Sequence, residues 1–194
     1  MNILAHSYLS FGNQSLLIGN FIADHVKGAK LSTFSKAIQN GIIVHRGIDQ
    51  FTDNHRLYKQ SCHRIFKDQG HYSRVVIDII YDHYLAKNWA SYSEQSLEEY
   101  AQEFYELLSI HQELLPDRSQ QMLTYMKSNN WLLMYRSIEG IDQILKGMHS
   151  RANYKSSMDT AAELIQIYDT NFQEEFSLFF NELILYSQDK IKNL

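Results

Sequence analysis

Apolar positions recur along this chain at three- and four-residue intervals almost from end to end, the period of a helix buried along one side. Segment 54–68 carries the pattern most clearly. At 100° per residue Leu57, Tyr58, Ser61, Cys62 and Ile65 fall on one side, while Arg56, Lys59, His63 and Lys67 share a narrow arc on the other. Segments 97–114, 119–135 and 157–190 show the same spacing, the last with Ser157 or Asp159 as its cap. Breaks are expected at 28–32, 70–73, 88–96, 116–119, Gly140 and 150–156. Segment 74–89 is different. Val75, Val76, Ile77, Ile79, Ile80, Tyr81, Tyr84 and Leu85 wrap nearly its whole circumference, which predicts a helix enclosed by others. Asp78 and Asp82 lie inside it, one turn apart on the same side.

Composition agrees with a helical chain. The 194 residues include 8 Gly and 1 Pro, too few for the turns of a sandwich or barrel, and 44% are hydrophobic, enough to build a core. We therefore expect a single all-α domain over 1–194, a helical bundle. The longest apolar run, residues 131–135, is far short of the roughly 20 residues that cross a bilayer. The start, Met1-Asn2-Ile3-Leu4-Ala5-His6, has neither the basic nor the apolar stretch of a secretory signal. With Cys62 as the single cysteine, a cytoplasmic protein away from membranes is the expectation. A net charge of −4 argues against nucleic acid as a partner. The charge is unevenly spread: residues 1–97 carry 10 Lys/Arg against 7 Asp/Glu, and residues 98–194 carry 8 against 15. Seven of the nine histidines also lie in the first half, so the chemistry is sought there.

A buried carboxylate is costly unless it is paired or binds a metal, and two at i, i+4 also repel. Asp78 and Asp82 therefore need a positive partner. A divalent cation, with the imidazole of His83 beside it, is one solution; an Arg or Lys from another helix is the plainer one. In a second cluster His45, Asp49 and Asp53 follow each other every four residues, one face of a continuous helix. Imidazole with carboxylate oxygens suits a transition metal, and the planar fork of Arg46 suits a phosphate. The competing assignment makes Asp49 an orienter of His45, Arg46 a surface charge, and Thr52 or Asp53 the cap of the next helix. A third cluster places Asp24 at the end of the apolar run Gly19-Asn20-Phe21-Ile22-Ala23. His6, also among apolar neighbours, is a further candidate, although for any one histidine here a hydrogen-bonded core or surface residue is the better single assignment. No Gly-x-Gly-x-x-Gly, Walker loop, Gly-x-Ser-x-Gly or Glu-x-x-His occurs.

The same blocks carry a resemblance. Met1 to His6, Gly19 to Asp24, His45-Arg46-x-Ile48-Asp49, Thr52-Asp53-Asn54, and Asp78 with Asp82-His83 stand in order and spacing like those of the acyl carrier protein phosphodiesterases, also called holo-acyl-carrier-protein hydrolases. Leu115-Pro116-Asp117, Trp131-Leu132, Tyr135-Arg136 and Gly147-Met148 extend the likeness over nearly the whole length. The resemblance implies an all-α bundle akin to the HD-type metal-dependent phosphohydrolases. It implies a divalent metal, Mn²⁺ foremost with Mg²⁺ or Fe²⁺ as alternatives. The implied reaction removes the 4′-phosphopantetheine arm from a serine of holo-acyl carrier protein. Carried over, it places Asp24, His45, Asp78, Asp82 and His83 at the metal and His45, Arg46, Asp49 and His83 in catalysis, with His6 and Asp53 as further candidates. Two departures stand out. The chain has no His-Asp dipeptide, only Asp24-His25 and Asp82-His83 in reversed order, and Gly47 stands where a larger polar residue is expected.

On that basis the metal lowers the pKa of a bound water, Arg46 stabilises charge on phosphorus, and His45 or His83 protonates the leaving serine. The stripe Arg56, Lys59, His63 and Lys67 faces an acidic carrier, or is simply a solvated face. Two other functions stay open: a phosphohydrolase of the same build acting on a nucleotide or another small phosphodiester, and a non-catalytic helical module whose buried acids form salt bridges.

Overall fold

Burial over most of its circumference makes α6 (Ser73–Lys87) the central helix. Val76, Ile77, Ile79, Ile80, Tyr81, Tyr84 and Leu85 are excluded from solvent, as the apolar pattern predicts, whereas Val75, expected inside with them, is 37% exposed. The computed structural model describes residues 2–153 and 155–194, and no strand occurs among them. Helices α1 (Ile3–Tyr8), α4 (Arg56–Arg64), α10 (Ile138–Arg151) and α11 (Glu163–Lys192) pack directly on α6. Helices α2 (Gln14–Ile22) and α3 (Lys36–Asn54) form the next pair, with α3 also against α11. Helices α5 (Phe66–Gln69), α7 (Leu97–Ile110), α8 (Asp117–Ser128) and α9 (Trp131–Met134) complete the set. No described helix is long and apolar enough to cross a membrane.

Several boundaries differ from the sequence pattern, each for a local reason. Segment 54–68 is two helices broken at Ile65, and its N-cap is His55, whose Nδ1 accepts from the Leu57 N–H, rather than Thr52 or Asp53. Segment 119–135 is broken by Asn129-Asn130, where Asn130 takes the left-handed conformation (φ 47°) that Asn tolerates better than most residues. Gly140 does not interrupt a helix. It sits in the first turn of α10, donates to the Ser137 cap, and a Cβ there would lie 2.1 Å from the Met134 carbonyl oxygen. Helix α11 starts at Glu163, after a 3-10 turn at Met158–Thr160, and kinks at Tyr168. Its buried Glu175 accepts from Gln60 Nε2 at 2.7 Å and also meets Ser61 and Arg64, which fastens α4 to the long helix.

Helices α2 and α3 cross in backbone contact. A Cβ on Gly19 would lie 2.3 Å from the Ile38 carbonyl oxygen, and one on Gly41 would lie 2.5 Å from that of Leu16. Glycine inside a helix costs roughly 0.5–1 kcal/mol against alanine. Here it allows backbone contact between Leu16 and Gly19 of α2 and Ile38 and Gly41 in the first two turns of α3. Gly41→Ala should therefore lower stability by about 1–3 kcal/mol, measured by denaturant unfolding, because neither backbone can yield without moving a helix. An unchanged midpoint would show that the crossing is loose.

Candidate active site

Helix α3 is continuous, so His45 and Asp49 share a face as their spacing requires. Helix α1 brings His6 to that face, and the 3-10 turn Ala23–His25 after α2 brings Asp24. The rings of His6 and His45 stack at 4.0 Å with 21° between planes. Carboxylates only accept, so the imidazoles donate: His6 Nε2 to Asp49 Oδ1 at 3.1 Å and His45 Nε2 to Asp49 Oδ2 at 3.2 Å. Asp24 Oδ1 lies 3.4 Å from the same His45 nitrogen. Both Nδ1 atoms are buried without a partner, so Nε2 is the working nitrogen of each ring. The turn that carries Asp24 is itself anchored, because His25 Nδ1 lies 2.7 Å from the Ser119 hydroxyl of α8.

Charge explains the protonation of the pair. Burial, with His45 beside it, pushes His6 down to about 4, so His6 is neutral. Burial also opposes a charge on His45, but its hydrogen bonds to Asp24 and Asp49 prevail and lift it to about 9. Burial works against the Asp49 carboxylate, yet bonds from both imidazoles hold it well below the usual range. Asp24 is lowered chiefly by its bond with His45. The cluster demands one positive charge, and a proton on His45 supplies it.

These residues line a cleft of about 850 Å³, within the range of small-molecule sites. Asp53, Tyr58, Arg74 and Asp78 also line it. Asp78 Oδ1 accepts from the Tyr58 hydroxyl at 3.0 Å, and Arg74 Nη1 donates to Asp53 Oδ1 at 3.0 Å across a half-exposed pair. Among the described residues, the acid–histidine group whose ligand atoms all lie within 4.8 Å of one another is His6, His45 and Asp49.

Three expected site residues lie outside the cleft lining. Asp82 is fully buried and accepts from the backbone N–H groups of Leu4 at 2.8 Å and Asn2 at 3.2 Å, so it anchors the start of α1. Burial lifts its carboxyl to about 7 despite those two bonds. His83, a further 100° around α6, places Nδ1 2.7 Å from the Tyr135 carbonyl oxygen, and burial lowers its pKa. Arg46 is 100° around α3 from His45 and donates instead to the Val26 carbonyl at 3.0 Å. Gly47 faces α11, where a Cβ would lie 2.8 Å from Lys190 Cε. Arg56, Lys59, His63 and Lys67 are all exposed, on α4 and α5. Sequence reasoning missed Tyr58 and Arg74 as cleft residues. The signal for Arg74 was its place one turn before Asp78 on α6.

A family model described as acyl carrier protein phosphodiesterase matches residues 1–183. A relative of that name from Photorhabdus laumondii subsp. laumondii is 29% identical over 191 residues, 98% of this chain and 96% of the relative. One from Yersinia enterocolitica is 28% identical over 191 residues, 98% of this chain and 99% of its own. One from Escherichia coli O6:H1 is 32% identical over 158 residues, 78% of this chain and 79% of the relative. No solved structure matches.

The raised His45 has a thermodynamic signature in chelator-treated protein. Because the folded state holds a proton that the unfolded state releases near 6.5, the His45 contribution is fully present below that pH and is lost as pH rises towards about 9, while His6, held near 4, lowers stability on the acid side of 6.5. The loss should be roughly 2–3 kcal/mol in urea unfolding, and His45→Gln should flatten it. A flat wild-type profile would contradict the charge assignment.

Proposed function

The chain belongs to the acyl carrier protein phosphodiesterase family, and from that premise we propose that it hydrolyses the phosphodiester of holo-acyl carrier protein, giving apo-protein and 4′-phosphopantetheine. The observation that carries this proposal is the cleft itself, which joins the His6–His45–Asp49 cluster and Asp24 to the carboxylates of Asp53 and Asp78 and to Arg74.

The donor set fits a divalent ion. Two buried imidazole nitrogens and carboxylate oxygens converge where a positive charge is already required, and such a mixed nitrogen–oxygen set suits Mn²⁺, with Mg²⁺ or Fe²⁺ as alternatives. His6, His45, Asp49 and Asp24 would hold the ion. When bound, it would polarise a phosphoryl oxygen and acidify a water. The set also supports kinship with the HD-type phosphohydrolases despite the missing dipeptide. The imidazole and carboxylate that such a dipeptide would supply would come here from His45 on α3 and Asp24 in the turn after α2.

In the hydrolysis, a bond forms between a water oxygen and phosphorus, the bond from phosphorus to serine Oγ breaks, and the serine oxygen takes a proton. Asp78, oriented by Tyr58, is a cleft carboxylate outside the cluster and serves this proton transfer, Asp53 being paired with Arg74. Arg74 takes the place expected for Arg46. Its pair with Asp53 is half-exposed and therefore weak, so the guanidinium can turn to the phosphoryl oxygens. An acidic carrier would meet the exposed stripe Arg56, Lys59, His63 and Lys67, an attraction that speeds encounter and weakens with salt.

Intact-mass spectrometry of holo-acyl carrier protein after incubation with the enzyme and Mn²⁺ tests the reading. Loss of the complete prosthetic group is expected, and Asp49→Asn should reduce the rate by at least about a hundredfold, because it removes a carboxylate shared by both imidazoles. Retention of the arm by the carrier, with a simple diester such as bis(p-nitrophenyl) phosphate still cleaved, would transfer the activity to small phosphodiesters.

A further inference from the structure

The two walls of the cleft differ in chemistry. Every carboxylate that lines it, Asp24, Asp49, Asp53 and Asp78, comes from the segment before α7. The opposite wall, from α7 to α10, supplies none. It offers Phe104, Met122, Met126 and Trp131, with Met126 and Phe104 nearly excluded from solvent, together with Arg118 and Arg151. Arg64, Arg74 and Arg136 are each paired with a carboxylate and Arg46 donates to a carbonyl. Arg118 and Arg151, like Arg56 on the surface of α4, have no ion pair or hydrogen bond among the described residues, and of these three only Arg118 and Arg151 line the cleft. Arg151 instead lies over the Trp131 ring, its Cζ 5.9 Å from the centroid. Guanidinium groups offer donors only, and these two face a cleft wall with no acid to meet them.

The ligand for such a wall is elongated, mostly apolar and uncharged, and carries hydrogen-bond acceptors at intervals. We infer that the α7–α10 wall seats the pantetheine arm of the substrate, with Arg118 and Arg151 donating to its amide carbonyls and Phe104, Met122, Met126 and Trp131 contacting its methyl, methylene and thiol groups. This rests on the carrier-hydrolase function proposed above. The arm matches the wall group by group. It has two amide carbonyls, a gem-dimethyl segment and a terminal thiol, and it carries no charge beyond the phosphate. Flexible methionine side chains adapt to an irregular chain, and sulfur packs well at the edge of an aromatic ring. The cleft volume of about 850 Å³ also exceeds what a phosphate at the acid–histidine cluster needs.

The assignment gives the substrate a direction. With the arm on the α7–α10 side, the serine and its protein lie towards the α4 and α6 lining, where Tyr58, Arg74 and Asp78 stand. The bond to be broken then faces the proton-transfer carboxylate, and the arm stays seated on its own wall after cleavage.

Calorimetric binding of 4′-phosphopantetheine and of inorganic phosphate to the full-length protein, wild type and Arg118→Gln/Arg151→Gln, tests this. Both arginines are exposed, so the double variant keeps the core intact. The wild type should bind 4′-phosphopantetheine at least about tenfold more tightly than phosphate, and the double variant should lose about tenfold or more for 4′-phosphopantetheine alone. Equal affinity of the two ligands for the wild type would overturn the assignment. So would an undiminished preference in the double variant, or a parallel loss for phosphate. The carrier reading fails by a different measurement, retention of the arm by holo-carrier incubated with wild-type enzyme, so the two failures are distinguishable.

Discussion

Two carboxylates converging on one buried imidazole nitrogen set the terms for the rest of this molecule. Asp24 and Asp49 both reach His45 Nε2, and Asp49 also holds His6. Asp24 is largely exposed and Asp49 about half-exposed, so water screens part of their repulsion, and a positive charge between them relieves the rest. A proton on His45 satisfies the demand in the ion-free chain. The same demand is what makes the cluster a candidate metal centre, because ion and proton compete for the same nitrogen.

The fold serves that convergence. Backbone contact at Gly19 and Gly41 sets α2 against α3, so the turn after α2 delivers Asp24 to the face that carries His45 and Asp49. Asp82, fully buried on the central helix, grips the first turn of α1 and thereby fixes His6. His25 joins the Asp24 turn to α8, which links the acidic side of the cleft with its apolar wall. A carboxylate expected at the chemistry thus does its work one layer away, by holding the helix that bears a histidine.

Much of this was legible in the sequence. The all-round apolar pattern of 74–89 marked the buried helix, and the four-residue spacing of His45 and Asp49 placed them together once α3 was continuous. Periodicity was less informative about the two members of an i, i+4 pair. Asp78 and Asp82 share a side of α6, yet one opens on the cleft and the other is sealed under α1, because depth along a helix depends on what packs above it. Arg46 lies outside the cleft for a related reason: it stands next in sequence to His45, and adjacency on a helix means a turn of 100° away. His83 adjoins Asp82, which is itself buried away from the cleft. The arginines of the cleft wall, Arg118 and Arg151, lie on separate helices far apart in sequence, so only tertiary packing brings them to one surface.

The central claim, that a divalent ion takes the position of the His45 proton, is tested most directly by calorimetric titration of metal-free protein with Mn²⁺ near pH 7.5 in buffers of different ionisation enthalpy. Because His45 holds its proton up to about 9, saturable binding accompanied by release of roughly one proton is predicted, with both signals lost in Asp49→Asn. Absence of binding, or binding without proton release, would contradict the account.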